Sequence, residues 1–201
     1  MKIFTGTEIR DIIVSILIVS VIFWIYVFAF PDIVGFFVSL VIVFFSFFCH
    51  EISHEFVAKK LGCMATYRIW PLGLLLGIMS IFFGLIGLKR YFIPIMIVGC
   101  VEIMPYRFGR WGFKVVKLSA RDIGIISLAG TGLNVFFAVF FKLFPGSIFH
   151  NLSYFNGLFA LLNLIPIPPL DGSKIFMWKM WLWLFLMFVS VLSFFSSIGF
   201  I

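Results

Sequence analysis

Six long apolar runs, separated by short polar segments, make up most of this chain. They cover residues 12–30, 34–61, 72–88 together with 91–104, 123–144, 154–167 and 175–201. Of the 201 residues, 63% are hydrophobic and only 11% are charged, which leaves too little polar surface to cover a water-soluble core. Because about 20 apolar residues in a helix span a bilayer, the runs predict an all-α membrane protein with about six transmembrane helices.

The same runs leave no room for a separate soluble domain. The first run, residues 12–30, is longer than the apolar core of a signal peptide and has no small-residue cleavage site. We therefore interpret it as a retained first span. No repeat, low-complexity tract or linker divides the sequence, so residues 1–201 are predicted to form a single polytopic membrane domain.

Lysine and arginine occur in small groups between the apolar runs. The formal net charge of +7 could indicate nucleic-acid binding, but these residues form no basic stripe or tail, so no nucleic-acid partner is expected. By the positive-inside rule, the N-terminus and residues 59–68, 107–121 and 174–179 lie on the cytoplasmic side. We therefore expect a multi-pass protein of the cell membrane with a cytoplasmic N-terminus.

Residues 72–104 fit a simple pair of spans less well than the rest. They contain five glycines and one proline, Gly73, Gly77, Gly84, Gly87, Pro94 and Gly99. On the charge-based topology, the segment leaves one side of the membrane and returns to it. A re-entrant element and a strand-like element packed against protein both fit this pattern. We therefore predict an element of one of these two kinds between the second and fourth helices.

The second apolar run contains the sequence H-E-x-x-H, met by His50, Glu51 and His54. On a helix, residues four apart differ by about 40° around the axis, so both imidazoles can reach one metal ion. Glu51 stands about 60° from His54, where it can reach a water on the metal without being a ligand. Ionisable groups at membrane depth are costly unless they are paired or ligated. The motif therefore predicts a zinc site rather than a polar patch between helices.

A hydrolytic zinc ion takes a third protein ligand and keeps one position for water. His50 and His54 precede Lys59 by nine and five residues, which places them roughly 8–14 Å from the cytoplasmic end of the helix. Asp171 follows the fifth run on the same side, in a segment whose prolines cannot continue an α-helix. We predict Asp171 as the third ligand and retain Glu102 as the second candidate.

Two motifs together resemble the site-2 protease family of intramembrane zinc metalloproteases. One is H-E-x-x-H in an apolar run, and the other is N-x-x-P-x-x-P-x-D-G, met by Asn163, Pro166, Pro169, Asp171 and Gly172. The resemblance implies that zinc is held by His50, His54 and Asp171. It further implies that Glu51 activates water, that Asn163 positions the substrate or stabilises the oxyanion, and that transmembrane proteins in the lipid bilayer are the substrates.

Residues 118–122, followed by residues 128–134, resemble a further segment of that family. Where many of its members have Gly-Pro, this chain has Gly130 and Thr131. Asn134, at the end of the segment, could contact the scissile carbonyl or form a hydrogen bond to a neighbouring helix. Both roles stay open at this point.

A metal transporter is the main competing function, with the His50, His54, Glu51 and Asp171 cluster as a transit site. Transport paths carry ionisable groups at several depths, whereas those of this chain cluster near one face. The pattern therefore favours hydrolysis. A protease with Glu102 as its third zinc ligand also stays open, as does an inactive relative that binds membrane partners, although the intact Glu51 argues against inactivity. The oligomeric state is left open.

Overall fold

The computed structural model describes residues 5–28, 31–109 and 112–199, which form a mainly helical chain. The helices are α1 (Gly6–Val27), α2 (Ile33–Lys60), α3 (Pro71–Leu85), α4 (Ala120–Phe140), α5 (Ser147–Asn163), α6 (Asp171–Trp178) and α7 (Met180–Ser197). The strands are β1 (Met64–Ile69), β2 (Gly99–Met104), β3 (Tyr106–Gly109) and β4 (Gly112–Val115). The predicted fold class is confirmed, because helices dominate and the strands form only two small sheets, β1-β2 and β3-β4.

Four of the described helices are long and apolar enough to cross a membrane. They are α1, α2, α4 with the 3-10 turn that follows it to Leu143, and α7. Helix α3 is also apolar but has only 15 residues. These helices suggest a membrane protein, since a 20-residue helix is about as long as the bilayer core is thick.

The segment between α2 and α4 contains the predicted strand-like element. Residues 72–104, which were expected to be re-entrant or strand-like, form most of α3 and then, after a 3-10 turn and irregular backbone, β2. Antiparallel β3 and β4 follow. Apart from Tyr106 they lie within residues 107–121, where the sequence predicted only a cytoplasmic loop. Two residues of that loop, 110 and 111, lie outside the described residues.

Contacts group the chain into two compact units, of which the first comprises residues 5–48 and 67–100. Helix α1 begins with a capping box between Thr5 and Glu8. A Cβ atom at Gly84 of α3 would collide with Ile25 of α1, so the absence of a side chain there allows the two helices to approach closely.

The second unit comprises residues 49–66 and 101–199 and contains the candidate site. Its apolar core joins α4, α5, α6 and α7 through Val135, Ala160, Leu164, Ile175 and Leu186. Helix α5 ends at Asn163, ahead of the proline-containing segment that leads to α6, because proline cannot continue a helix.

Candidate metal centre

Three buried side chains, His50, His54 and Asp171, converge on one point in the second unit. The two histidines lie one turn apart on α2, and their Nε2 atoms are 3.0 Å apart. Asp171 is the first residue of α6, and its Oδ2 atom lies 3.1 Å from Nε2 of His54 and 3.5 Å from Nε2 of His50. The structure therefore brings together the three predicted ligands, which are separated by up to 121 residues of sequence.

Each histidine makes a hydrogen bond through its other ring nitrogen. Nδ1 of His54 lies 2.7 Å from the carbonyl oxygen of Ile126, and Nδ1 of His50 lies 2.5 Å from Oδ1 of Asn134. A carbonyl oxygen can only accept, so Nδ1 of His54 carries a proton and donates it. This leaves Nε2 of His54 as its ligand atom, in the arrangement usual for metal-binding histidines.

Helix α4 supplies most of the supporting contacts. Ile126, Gly130, Thr131 and Asn134 fall within about 140° of one another around its axis, so they share one face. A Cβ atom at Gly130 would collide with the imidazole of His54. The hydroxyl of Thr131 donates a hydrogen bond to Oδ2 of Asp171, 2.9 Å away. One face of α4 therefore contacts both kinds of ligand.

The donor set fits a zinc ion. Two imidazole Nε2 atoms and one carboxylate oxygen face each other at a buried point, so their lone pairs require a positive charge between them, either a proton or a metal ion. Two histidines with a carboxylate form a known ligand set of catalytic zinc. The three ligand atoms lie within 4.8 Å of one another, close enough for one ion to bind all of them.

Electrostatics keep the Asp171 carboxyl ionised. Burial raises the pKa of Asp171. A positive charge on the His54 imidazole, hydrogen bonds with both imidazoles and the Lys174 ammonium lower it. The lowering prevails, and the pKa of Asp171 lies well below its usual range. The residue is therefore a carboxylate at neutral pH, which is the form that binds a metal.

The segment before α6 fixes the position of Asp171. A Cβ atom at Gly172 would collide with the carbonyl of Leu164, so glycine permits α6 to start against the end of α5. Trp183 of α7 donates its indole N–H to that same carbonyl oxygen at 2.7 Å. Lys174, one turn along α6, lies 3.6 Å from Oδ1 of Asp171 and donates to the carbonyl of Val101.

The remaining predicted site residues lie as follows. Glu51 is buried and directly follows His50 on α2. Asn163 is the last residue of α5, is buried, and donates a hydrogen bond from Nδ2 to the carbonyl of Phe159 at 3.0 Å. The catalytic roles of Glu51 and Asn163 stay predictions. Glu102 is exposed on β2 and does not belong to the ligand group that the described residues form.

Sequence reasoning did not identify Ile126, Gly130 and Thr131 as parts of this site, nor Asn156, whose Oδ1 accepts a hydrogen bond from Asn134. Ile126 acts through its backbone carbonyl. Every residue type has this group, so the sequence gives no signal for it. Thr131 stands out in the sequence only as a departure from Gly-Pro, although its hydroxyl is a donor that proline lacks. Asn156 is a polar residue within the apolar run at 154–167, and that position was the one available signal.

A comparison with known proteins finds a curated relative. The chain is 32% identical over 191 residues to a protein of Methanocaldococcus jannaschii named "Putative zinc metalloprotease MJ0611". The match covers 90% of this chain and 88% of that protein. No protein-family profile matches the chain, and no solved structure matches it. With this identity over nine-tenths of its length and a buried His-His-Asp group that could bind a metal ion, the protein belongs to the metalloprotease family of this relative.

Proposed function

We propose that this protein is an intramembrane zinc metalloprotease that hydrolyses peptide bonds of transmembrane proteins. One observation carries the proposal: Asp171 of α6 lies beside His50 and His54 in a buried group, and these histidines and Glu51 belong to α2, a helix apolar enough to span the bilayer. The name of the relative supports zinc and proteolysis. The resemblance to site-2 proteases and the apolar helices support the location of the reaction within the membrane.

Each predicted residue has a defined task in this proposal. His50, His54 and Asp171 hold a zinc ion, which when bound polarises the scissile carbonyl and lowers the pKa of a water molecule. Glu51 accepts a proton from the attacking water and delivers it to the leaving amine as the C–N bond breaks.

Asn163 is proposed to stabilise the developing negative charge. Its Nδ2 group has two hydrogens, of which one is donated to Phe159. The second can be donated to the carbonyl oxygen of the substrate, where an aimed donor lowers the barrier most. The bond to Phe159 holds the amide in place, so the donor is preorganised.

We propose a multi-pass arrangement in the cell membrane with the N-terminus in the cytoplasm. The positive residues Lys59, Lys60, Lys174 and Lys179 support it, since lysine is enriched in cytoplasmic segments. The site then lies on the cytoplasmic half of α2. Labelling of a cysteine introduced at Lys59 by a membrane-impermeant reagent should occur from the cytoplasmic side of vesicles, and labelling from the opposite side would reverse the topology.

The decisive experiment compares four proteins in detergent or liposomes: the native chain, Glu51→Gln, Asp171→Ala and Glu102→Ala. Bound zinc and cleavage of a transmembrane peptide are measured for each. We expect Glu51→Gln to keep zinc and lose cleavage by at least about 100-fold, the size of a typical general-base effect. Asp171→Ala should lose both, and the matched control Glu102→Ala should lose neither.

Different results would favour a transporter or a different ligand set. If zinc is bound but Glu51→Gln cleaves as fast as the native chain, the protease proposal fails, and zinc flux through liposomes would then test the transporter. If Glu102→Ala loses zinc while Asp171→Ala keeps it, the ligand set is wrong.

A further inference from the structure

Two buried asparagine side chains connect the metal centre to α5. Oδ1 of Asn134 lies 2.5 Å from Nδ1 of His50. Nδ2 of Asn134 donates to Oδ1 of Asn156 at 2.7 Å, and Nδ2 of Asn156 donates to the carbonyl oxygen of Leu152 at 2.8 Å. Asn134 is 1% exposed and Asn156 is fully buried, so bulk water does not reach either amide.

The polarity of this chain of hydrogen bonds is set at its far end. The carbonyl of Leu152 can only accept, so the amino end of the Asn156 amide must face it. The oxygen of Asn156 then faces Asn134 and requires a donor, which turns the amino end of Asn134 toward α5. The oxygen of Asn134 is left facing His50, and Nδ1 of His50 must therefore carry a proton.

We infer that Asn134 and Asn156 are positioning residues that hold the proton of His50 on Nδ1 and so reserve Nε2 for the metal ion. Asn134 contacts the ligand directly, and Asn156 acts through Asn134. The inference rests on the proposed metal site but is independent of peptide hydrolysis. It also assigns Asn134 the second of its two sequence-based roles, a bond to a neighbouring helix.

Asn156 is important because the two ends of an amide group have nearly the same shape. The oxygen and the amino group of Asn134 occupy nearly the same space, so sterics alone would allow either orientation. In the reversed orientation Asn134 would donate to Nδ1 of His50. The proton of His50 would then move to Nε2, where it blocks metal coordination. Asn156 prevents this reversal although it touches no ligand.

The test uses ¹⁵N-histidine-labelled protein in detergent, with and without added zinc. The chain has three histidines, and exposed His150 serves as the internal reference. The variants are Asn156→Leu, which keeps the branched shape, is larger and removes the amide, and Asn156→Asp. A protonated aspartate can still donate to Leu152 and accept from Asn134. The matched control is Ser153→Ala, which removes the buried 2.6 Å hydrogen bond from α5 to Ala138 of α4.

The expected result is specific to His50. The native protein, Asn156→Asp and Ser153→Ala should show a proton on Nδ1 of His50. Asn156→Leu should shift it toward Nε2 and weaken zinc binding by about 10- to 100-fold, the usual range for residues that support a metal ligand. The double variant Asn134→Asp with Asn156→Leu should regain zinc binding, because a carboxylate accepts from Nδ1 in either orientation.

Two results would overturn the inference. One is an Asn156→Leu protein that keeps both the Nδ1 proton and native zinc affinity. The second is a loss of zinc binding in Ser153→Ala equal to that in Asn156→Leu, which would assign the effect to general α4–α5 packing. If Asn156→Leu alone fails to fold, loss of the Nδ1 proton or of zinc binding in Asn156→Asp, but not in Ser153→Ala, would also overturn the inference, because the aspartate keeps the required donor and acceptor.

Discussion

Glu8 and Asp171 are two carboxylates that are buried to the same extent in different parts of the molecule. Glu8, near the start of α1, is 4% exposed, and Asp171, at the start of α6, is 5% exposed. Glu8 accepts hydrogen bonds from the backbone N–H groups of Tyr67 at 2.9 Å and Thr5 at 3.2 Å. Asp171 faces two imidazole nitrogens and the hydroxyl of Thr131.

The difference between these carboxylates lies in their partners. Backbone donors satisfy Glu8 within the fold, as in a helix cap, so its charge stabilises structure. The imidazole Nε2 atoms beside Asp171 are themselves bases, and the three groups together call for a cation. Burial of an acidic group is therefore a weak indicator of a site, and the chemistry of its neighbours decides its role.

Among substitutions of residues that are not zinc ligands, Gly130→Ala should have the largest effect on zinc affinity. The Cβ atom of Gly130→Ala would overlap the His54 imidazole and displace a ligand atom. We expect zinc affinity to fall by about 100-fold, as is typical when a reacting or binding group is displaced by about 1 Å. Competition with a chelator measures the affinity.

Gly132→Ala is the matched control on the same helix. Its Cβ atom would contact only the flexible side chain of Leu128, at 3.3 Å. Zinc affinity should stay within about twofold of the native value, since a small shift of that side chain relieves the contact. Equal losses in both variants would mean that alanine disturbs α4 generally and would remove the argument for a specific contact with His54.

Removal of the Thr131 hydroxyl should have an intermediate effect. Thr131→Val keeps the shape but leaves Oδ2 of Asp171 without this donor. We expect zinc affinity to fall by about tenfold, at the lower end of effects from residues that support a ligand. Thr131→Ser retains the hydroxyl and should bind zinc almost as tightly as the native chain. An unchanged affinity in Thr131→Val would show that the remaining contacts suffice to hold Asp171.

Replacement of Glu8 should have the smallest effect on the site. In Glu8→Gln the amide can accept from only one of the two backbone N–H groups, because its second polar atom is a donor. We expect the free energy of unfolding, measured by denaturant titration in mixed micelles, to fall by about 1–3 kcal/mol. Zinc affinity should not change. A loss of zinc binding in Glu8→Gln would break the distinction between the two carboxylates.

Much of the fold and part of the candidate site could be predicted from local patterns. Long apolar runs predicted α1, α2, α4 and α7, and the helical spacing of His50 and His54 predicted that both imidazoles lie on one face of α2. The prolines after Asn163 predicted the end of α5, because a missing backbone donor acts on the chain locally. The β3–β4 hairpin was missed, since its strands of four residues each are too short to show a pattern.

The sequence by itself determined that the chain is rich in long apolar helices and that His50 and His54 lie on one face of such a helix. Both features depend on residues that are close along the chain. Only the tertiary structure decided that Asp171 rather than Glu102 joins these histidines, and that one face of α4 supports the ligands. These features depend on contacts between distant residues and, at Ile126, on a backbone carbonyl that every residue type possesses. The ring nitrogen of His50 that carries the proton depends on the most distant of these contacts, the one at the Leu152 carbonyl. That carbonyl orients the amide of Asn156, which in turn orients the amide of Asn134.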